Sequence, residues 1–442
     1  MLEGPAYLVS RELPSSCEQE SKWIYNTFQL IELSSNKRGP TDEEEMMLKK
    51  LCKLAADMPA VEGFLVVSES SEVPTDQDNE QHSGGDNYDA SSLINGLGRD
   101  LSINCLLSLS RSEYGLVASL NRNFRSLFRD GEIYKLRRRL GIVEHWVYFS
   151  CTLLEWKAYD PENNRWMHLP RMTSNNCFMC ADKESLAVGT ELLVFGKEIH
   201  TYVVYKYSIL TNAWSYGLQM NTPRCLFASA SLGAIAIFAG GCNERGKVLS
   251  SAELYNSETG TWETLPNMNK VRKLSSGFFM DGKFFVIGGI PASDQMPYTC
   301  GEVYDFKTKT WTEIPNMFPG NNGGDAAAVI TRASSAPPLV AVVKNTLYAA
   351  DYEDRMVRRY DKKRNIWFTI GSLPPRAVSV NGWGLAFKAC GDRLIVVGGQ
   401  RSFSGGSTEI NAWTPNEGQP QWELLAEKAI GSFVYNCTVM GC

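Results

Sequence analysis

The chain contains no run of 18 apolar residues, so no segment of it reads as a membrane-spanning helix. The residues after Met1 offer neither the basic nor the apolar stretch of a secretory signal. Histidine is scarce: the four in 442 residues, His82, His145, His168 and His200, do not fall at clustered ligand spacing, which argues against a two-histidine copper site. The twelve cysteines form no framework, and the single CxxC at Cys177 and Cys180 has no second to complete a zinc site. Free buried thiols in a reducing compartment are the simpler reading. No Ser/His/Asp arrangement and no phosphate-cradling loop stands out, so no catalytic residue, metal or cofactor is expected. Residues 1–91 carry 18 acidic against seven basic side chains, a charge of −11; the whole chain is −5, so the remainder is +6. That excess is too small and too dispersed to indicate nucleic acid. A soluble intracellular protein, nuclear or cytoplasmic, is expected.

What the sequence does have is repetition. Gly240-Gly241, Tyr255, Trp262 and Leu265-Pro266 are followed by Gly288-Gly289, Tyr304, Trp311 and Ile314-Pro315, with 48 residues between the glycine pairs and 49 between the tryptophans. Tyr followed seven residues later by Trp recurs at Tyr159/Trp166, Tyr207/Trp214 and Tyr360/Trp367. A sixth copy has Gly398-Gly399 and Trp422, with Trp413 near the tyrosine position. Two copies have drifted, with Phe195-Gly196-Lys197 and Ala350-Asp351-Tyr352 where glycine pairs are expected. A period of this size resembles the kelch repeat, in which each copy forms one blade of a β-propeller. The glycines suit a sharp bend under close packing, and Tyr and Trp suit the wedge between blades.

The ends of the repeat region fix the count at six blades. His145–Cys151, Glu155–Asp160 and Arg165–Leu169 supply three strands of a first blade, and a spare apolar segment, Ser432–Met440, completes it, removing the open edges. In such a blade the connection entering the first strand and the one between the second and third strands lie at one end. That end collects the long loops Cys242–Ser250, Ile290–Cys300, Phe318–Pro338 and Gln400–Ser407. Arg224, Arg272 and Arg376 each precede a first strand and are the candidates for contacting a target there, by the planar fork that suits carboxylates. The competing reading is that they bond carbonyls of neighbouring blades.

Ahead of the repeats, Met1–Asn36 is uninformative beyond a short apolar stretch, Trp23–Leu33, and Lys37-Arg38 reads as a solvated turn. Thr41 is placed to cap a helix over about 42–57, with Met47, Leu48, Leu51 and Leu54 at helical spacing. Ser68–Ser92 is polar and acidic and reads as a disordered linker. Between Leu93 and Leu140 three short helices are expected: one capped by Asp100, a second capped by Ser112 and carrying Leu116, Leu120, Phe124 and Leu127, and a third with Ile133, Leu136 and Leu140. Arg137, Arg138 and Arg139 read as its solvated face. So small a helical set is expected to complete its core against a partner.

The spacing Leu97-x-x-Asp100-Leu101, Cys105-Leu106, Leu109, then Leu120-Asn121-Arg122 and Phe124-Arg125, resembles an F-box. Tyr134–Cys151, with Gly141-Ile142-Val143-Glu144-His145-Trp146-Val147-Tyr148, resembles the junction of plant F-box/kelch-repeat proteins. The resemblance implies a mainly β chain: a partly disordered acidic N-terminal region (1–91), a three-helix F-box (92–143) and a six-bladed kelch propeller (144–442). It further implies binding of the Skp adaptor of Skp-cullin-F-box ubiquitin ligases through Leu97, Asp100, Leu101, Cys105, Leu106 and Leu109, with the propeller holding an unidentified target protein. Gly98 stands where the family usually has Pro, a change expected to loosen the loop and weaken adaptor affinity. A non-ligase scaffold and a kelch-propeller copper oxidase are the alternatives.

Overall fold

The computed structural model describes residues 41–57, 93, 99–291, 296–318, 336–402, 405–416 and 418–442. Leu97, Gly98, His82, Trp23–Leu33, Lys37-Arg38, the Ser68–Ser92 linker and most of the Phe318–Pro338 connection lie outside those residues. The chain forms two compact units that meet in sequence between Ile142 and Val143.

The first unit is helical. Helix α1 (Asp42–Asp57) begins with a reciprocal cap: Thr41 N donates to Glu44 Oε2 at 2.8 Å and Glu44 N donates to Thr41 Oγ1 at 3.3 Å. Two orphan donors of the first turn are thereby satisfied, and four acidic residues complement the positive end of the helix. Its buried face, Met47, Leu48 and Leu51, packs against α2 (Arg99–Leu107) and α3 (Tyr114–Leu120). Lys50 to Glu113 (2.6 Å) and Ser119 to Glu44 (3.2 Å) flank that contact. Part of the core expected to await a partner is thus completed within the chain itself.

Two helix expectations are corrected. Asp100 lies inside the first turn of α2 rather than ahead of it. The helix expected across Leu116, Leu120, Phe124 and Leu127 is two, because Asn121 adopts an extended backbone and caps α4 (Arg122–Arg129) by accepting from Phe124 N at 2.8 Å. Ser110, not Ser112, starts the preceding turn. The last helix, α5 (Glu132–Leu140), runs between left-handed Gly131 and Gly141.

Arg137, expected on the solvated face, is fully enclosed. Its Nη1 donates to Tyr114 Oη (2.9 Å) and to the carbonyls of Leu109 (3.2 Å) and Leu107 (3.5 Å). It thereby satisfies orphan carbonyls at the end of α2, where a cation is also favoured by the helix dipole.

The second unit is a propeller of six four-stranded antiparallel blades. Blade 1 consists of Asn436–Gly441, His145–Ser150, Trp156–Asp160 and Arg165–Met167; blade 2 of Phe178–Val188, Glu191–Glu198, Thr201–Ser208 and Ala213–Tyr216. Blade 3 is Ala228–Leu232, Ile235–Ala239, Ala252–Asn256 and Thr261–Leu265; blade 4 is Lys273–Met280, Lys283–Ile290, Gly301–Asp305 and Thr310–Ile314. Blade 5 is Leu339–Val343, Thr346–Asp351, Met356–Asp361 and Ile366–Ser372; blade 6 is Ala386–Cys390, Arg393–Gly398, Thr408–Trp413 and Glu423–Lys428. The spare strand closes blade 1, pairing from His145↔Gly441 to Ser150↔Asn436.

In five blades Tyr stands directly opposite Trp across the third and fourth strands. Their ring centroids lie 4.8 to 5.4 Å apart. Each tryptophan from the second blade onward also reaches back to its predecessor. The Nε1 of Trp214, Trp262, Trp311, Trp367 and Trp422 donates to the carbonyl of Pro170, Leu218, Pro266, Met317 and Ser372, at 2.8 to 3.1 Å. The wedge is therefore polar at its edge and apolar on its face, which is why this residue type recurs there. In blade 6 Trp413 takes the tyrosine's place, 5.9 Å from Trp422.

Trp166 of blade 1 differs from the other repeat tryptophans at its indole edge. It keeps the place opposite Tyr159, with ring centroids 5.1 Å apart, and packs half-buried on the core shared with blade 6. Among the described residues, however, its indole makes no hydrogen bond to the preceding blade. Lys428, at the end of the fourth strand of blade 6, instead sets its ammonium 4.4 Å from the centre of the Trp166 ring. The physical reason lies in the closure. The predecessor of blade 1 is the last blade of the chain, whose fourth strand runs on to Lys428, so a cation over the ring stands where the other blades offer a carbonyl to the indole edge.

The glycine pairs are required for two different reasons. Gly240 has φ 71°, and a Cβ there would lie 2.4 Å from the Arg272 carbonyl oxygen of the next blade. Gly399 has no such backbone constraint, but a Cβ would meet the Ser407 carbonyl oxygen at 1.7 Å.

Candidate functional site

The propeller's long connections gather at the end where first strands begin and second strands finish. Apolar side chains stand exposed there: Leu153, Met179, Ile199, Met296, Val378 and Val380. Between blades 4 and 5 the same end holds a hollow of about 500 Å³, walled by Met296, Tyr298, Phe318, Tyr352 and Trp367. The Asp351–Arg358 ion pair, at 2.6 Å, lies in its wall. Apolar walls with a few oriented charges suit the binding of a ligand or of a partner's side chain.

The three arginines divide. Arg224 and Arg272 have no exposed side-chain surface, so they do not line that face. Arg224 Nη2 meets Glu253 Oε1 at 2.5 Å, and its other nitrogens donate to the carbonyls of Thr222, Gly240 and Ser251. Arg272 repeats the arrangement one blade on, with Glu302 at 2.7 Å and the carbonyls of Gly288 and Cys300. Both arginines therefore bond carbonyls of their own blade, not those of a neighbouring blade as the competing reading expected. Arg376 differs: it pairs with Glu409 at 2.8 Å but keeps 57% of its side chain exposed.

The glutamates were not anticipated. Glu253 and Glu302 also accept the backbone N–H groups of Asn221 and Thr222, and of Asn269 and Lys270. Each stands two residues before the repeat tyrosine, which is the sequence signal that could have found them.

In the helical unit, the adaptor-contact candidates divide as well. Cys105, Leu106 and Leu109 are buried in its core, whereas Asp100 is exposed and Leu101 is 48% exposed at the start of α2. The inward residues belong to a packed interior with Val117, Phe124 and Ile133, so they support the surface rather than form it.

No described cysteine is in a disulfide. Burial pushes the thiols of Cys180, Cys390 and Cys437 up to about 12, so they are neutral and unreactive near pH 7. Among the described residues no three His, Cys, Asp or Glu side chains converge as metal ligands, and no helix is long and apolar enough to cross a membrane.

The kelch motif matches residues 223–269 and 272–318, two of the three copies with intact glycine pairs. F-box/kelch-repeat protein At1g74510 of Arabidopsis thaliana is 56% identical over the full length of both chains. The chain is an F-box/kelch-repeat protein. Another member, F-box/kelch-repeat protein SKIP11 of Arabidopsis thaliana, is 60% identical over 81% of this chain and 77% of its own. A third, F-box/kelch-repeat protein At1g26930, is 51% identical over the full length of both. In this F-box/kelch-repeat protein the Tyr–Trp wedges and the buried Arg–Glu pairs belong to the scaffold.

Proposed function

We propose that this F-box/kelch-repeat protein is the substrate-recognition subunit of a Skp-cullin-F-box ubiquitin ligase. The helical unit, taken as the F-box (92–143), docks on the Skp adaptor, and the loop face of the propeller (144–442) holds a target protein. Its contribution is effective concentration and orientation, with no chemical step of its own, which makes it a non-catalytic receptor. Full-length similarity to F-box/kelch-repeat proteins is the observation that carries this reading. The exposed apolar set and hollow at one end of the ring support the placing of the target. Arg376, half-exposed and already held by Glu409, is the arginine suited to an acidic group on that target.

Co-purification with a Skp adaptor tests the reading, comparing the intact chain with Leu101→Asp. Leu101 is exposed, so its replacement leaves the core untouched and circular dichroism unchanged. Binding by the intact chain and loss of at least about tenfold in the variant, the size of effect expected of a truncated interface anchor, is the expected result. Absence of binding by both would favour the non-ligase scaffold.

A further inference from the structure

The first strands of the six blades pack against one another in a closed ring around the axis. Within it lies a cavity of about 90 Å³ lined by residues from every blade. Among the described residues its polar lining consists of Lys183 and Lys388, four serines, Tyr435 and Cys437, with no carboxylate. Ser185 and Ser275 are buried and their hydroxyls have no partner among the described residues. Lys183 Nζ donates to a single acceptor, the Leu385 carbonyl at 2.5 Å, and Lys388 makes no hydrogen bond or ion pair with the described residues.

The backbone produces this separation of charge. The ladder of blade 2 bulges between Cys180 and Ser185, with Lys183 at φ 62°, and a bulge re-aims side chains. Lys183 lines the axial cavity, whereas its sequence neighbours Asp182 and Glu184 line a different hollow between blades 2 and 3, where Glu184 accepts from Leu226 N. Two partly buried lysines thus line one cavity while the acids adjacent to Lys183 in sequence line another, an arrangement in which an anion would offset the repulsion between the two charges.

We infer that the axial cavity binds a small tetrahedral oxyanion of the inorganic phosphate or sulfate class, held by Lys183, Lys388, Ser185 and Ser275. Lysine supplies three donors and serine one, so these four side chains can satisfy the oxygens of such an ion. The volume admits several waters, hence an ion of this size, and excludes a peptide. The titratable groups facing the cavity are Lys183 from blade 2, Lys388 from blade 6, and Tyr435 and Cys437 beside and on the first strand of blade 1; blades 3, 4 and 5 present serines and apolar groups. Burial, and next the Lys388 charge, lowers Lys183 to about 7, with Cys437 and Asp182 acting the other way; burial lowers Lys388 too. An anion favours both charged forms, so binding at pH 8 should take up protons.

Isothermal titration of the full chain with inorganic phosphate tests this. The expected result is one site per chain and, with sulfate, which carries no proton of its own in this range, proton uptake at pH 8 that fades by pH 6, read from heats in buffers of different ionisation enthalpy. Sulfate should bind comparably, and acetate at equal ionic strength should not. Lys388→Met should weaken binding by at least about tenfold, as loss of a charge-assisted bond implies, and Ser275→Ala by about fivefold. Lys388→Arg should retain it, and together with Ser275→Ala keeps the test decisive if the methionine variant does not fold. No phosphate binding, equal acetate binding, or affinity unchanged in folded Lys388→Met or Ser275→Ala would overturn the inference.

Discussion

Arg272 and Glu302 illustrate how a charged residue that looks like a ligand contact can be a structural necessity. Both side chains are fully enclosed, and the glutamate is shared with two backbone donors. Arg272→Ala leaves that carboxylate buried and uncompensated, and should cost about 3–5 kcal/mol. Chemical denaturation of the full chain, read as a lowered midpoint for the propeller transition, checks it; an unchanged midpoint would contradict the pairing. Loss of target capture in such a variant would therefore report the fold and not the face, whereas Arg376→Ala perturbs the face with the core intact. The Tyr–Trp spacing was legible because it repeats locally and lies across one hairpin. What each tryptophan does with its indole edge was not, since Trp166 has the same spacing as the others and a different neighbour. Arg137 was misread because three consecutive arginines look solvated, and nothing local marks the one whose turn faces Tyr114 and the end of α2.

Helix α1 belongs to the helical unit as firmly as the segments nearer the repeats. Leu51 is 1% exposed, in a helix whose other buried side chains among the described residues are Met47 and Leu48. Leu51→Ala should destabilise that unit by about 2–5 kcal/mol. Limited proteolysis would show it as faster cleavage within residues 41–142 and unchanged cleavage of the propeller; equal rates would mean α1 contributes nothing. Its cap and apolar spacing were readable in sequence, but its packing partners were not, since a helix face does not name what covers it. The break at Asn121 escaped for the opposite reason: Leu116, Leu120, Phe124 and Leu127 keep helical period across it, so the pattern is continuous where the backbone is not. Likewise the oxyanion cavity draws its polar groups from strands more than 200 residues apart, such as Lys183 and Lys388, and leaves no local spacing to find.

At the scale of the whole molecule, closure is the feature that makes six separate sheets one body. The strand Asn436–Gly441 pairs with His145–Ser150, packs on blade 2 and receives the Ala187 amide at the Thr438 hydroxyl, while the Lys183 amide donates to the carbonyl of Tyr435 just ahead of it. Deleting Asn436–Cys442 should replace one cooperative thermal transition by a broad one and cause aggregation through the edge of His145–Ser150. Calorimetry with light scattering would decide it, a sharp soluble transition being the contrary result. The same closure sets an order of events during synthesis. The helical unit is translated first and can fold while the ribosome is still reading the blades, but the ring waits for the strand translated after all its others. A nascent chain can therefore hold a folded helical unit before it has a closed ring and the loop face that the ring assembles.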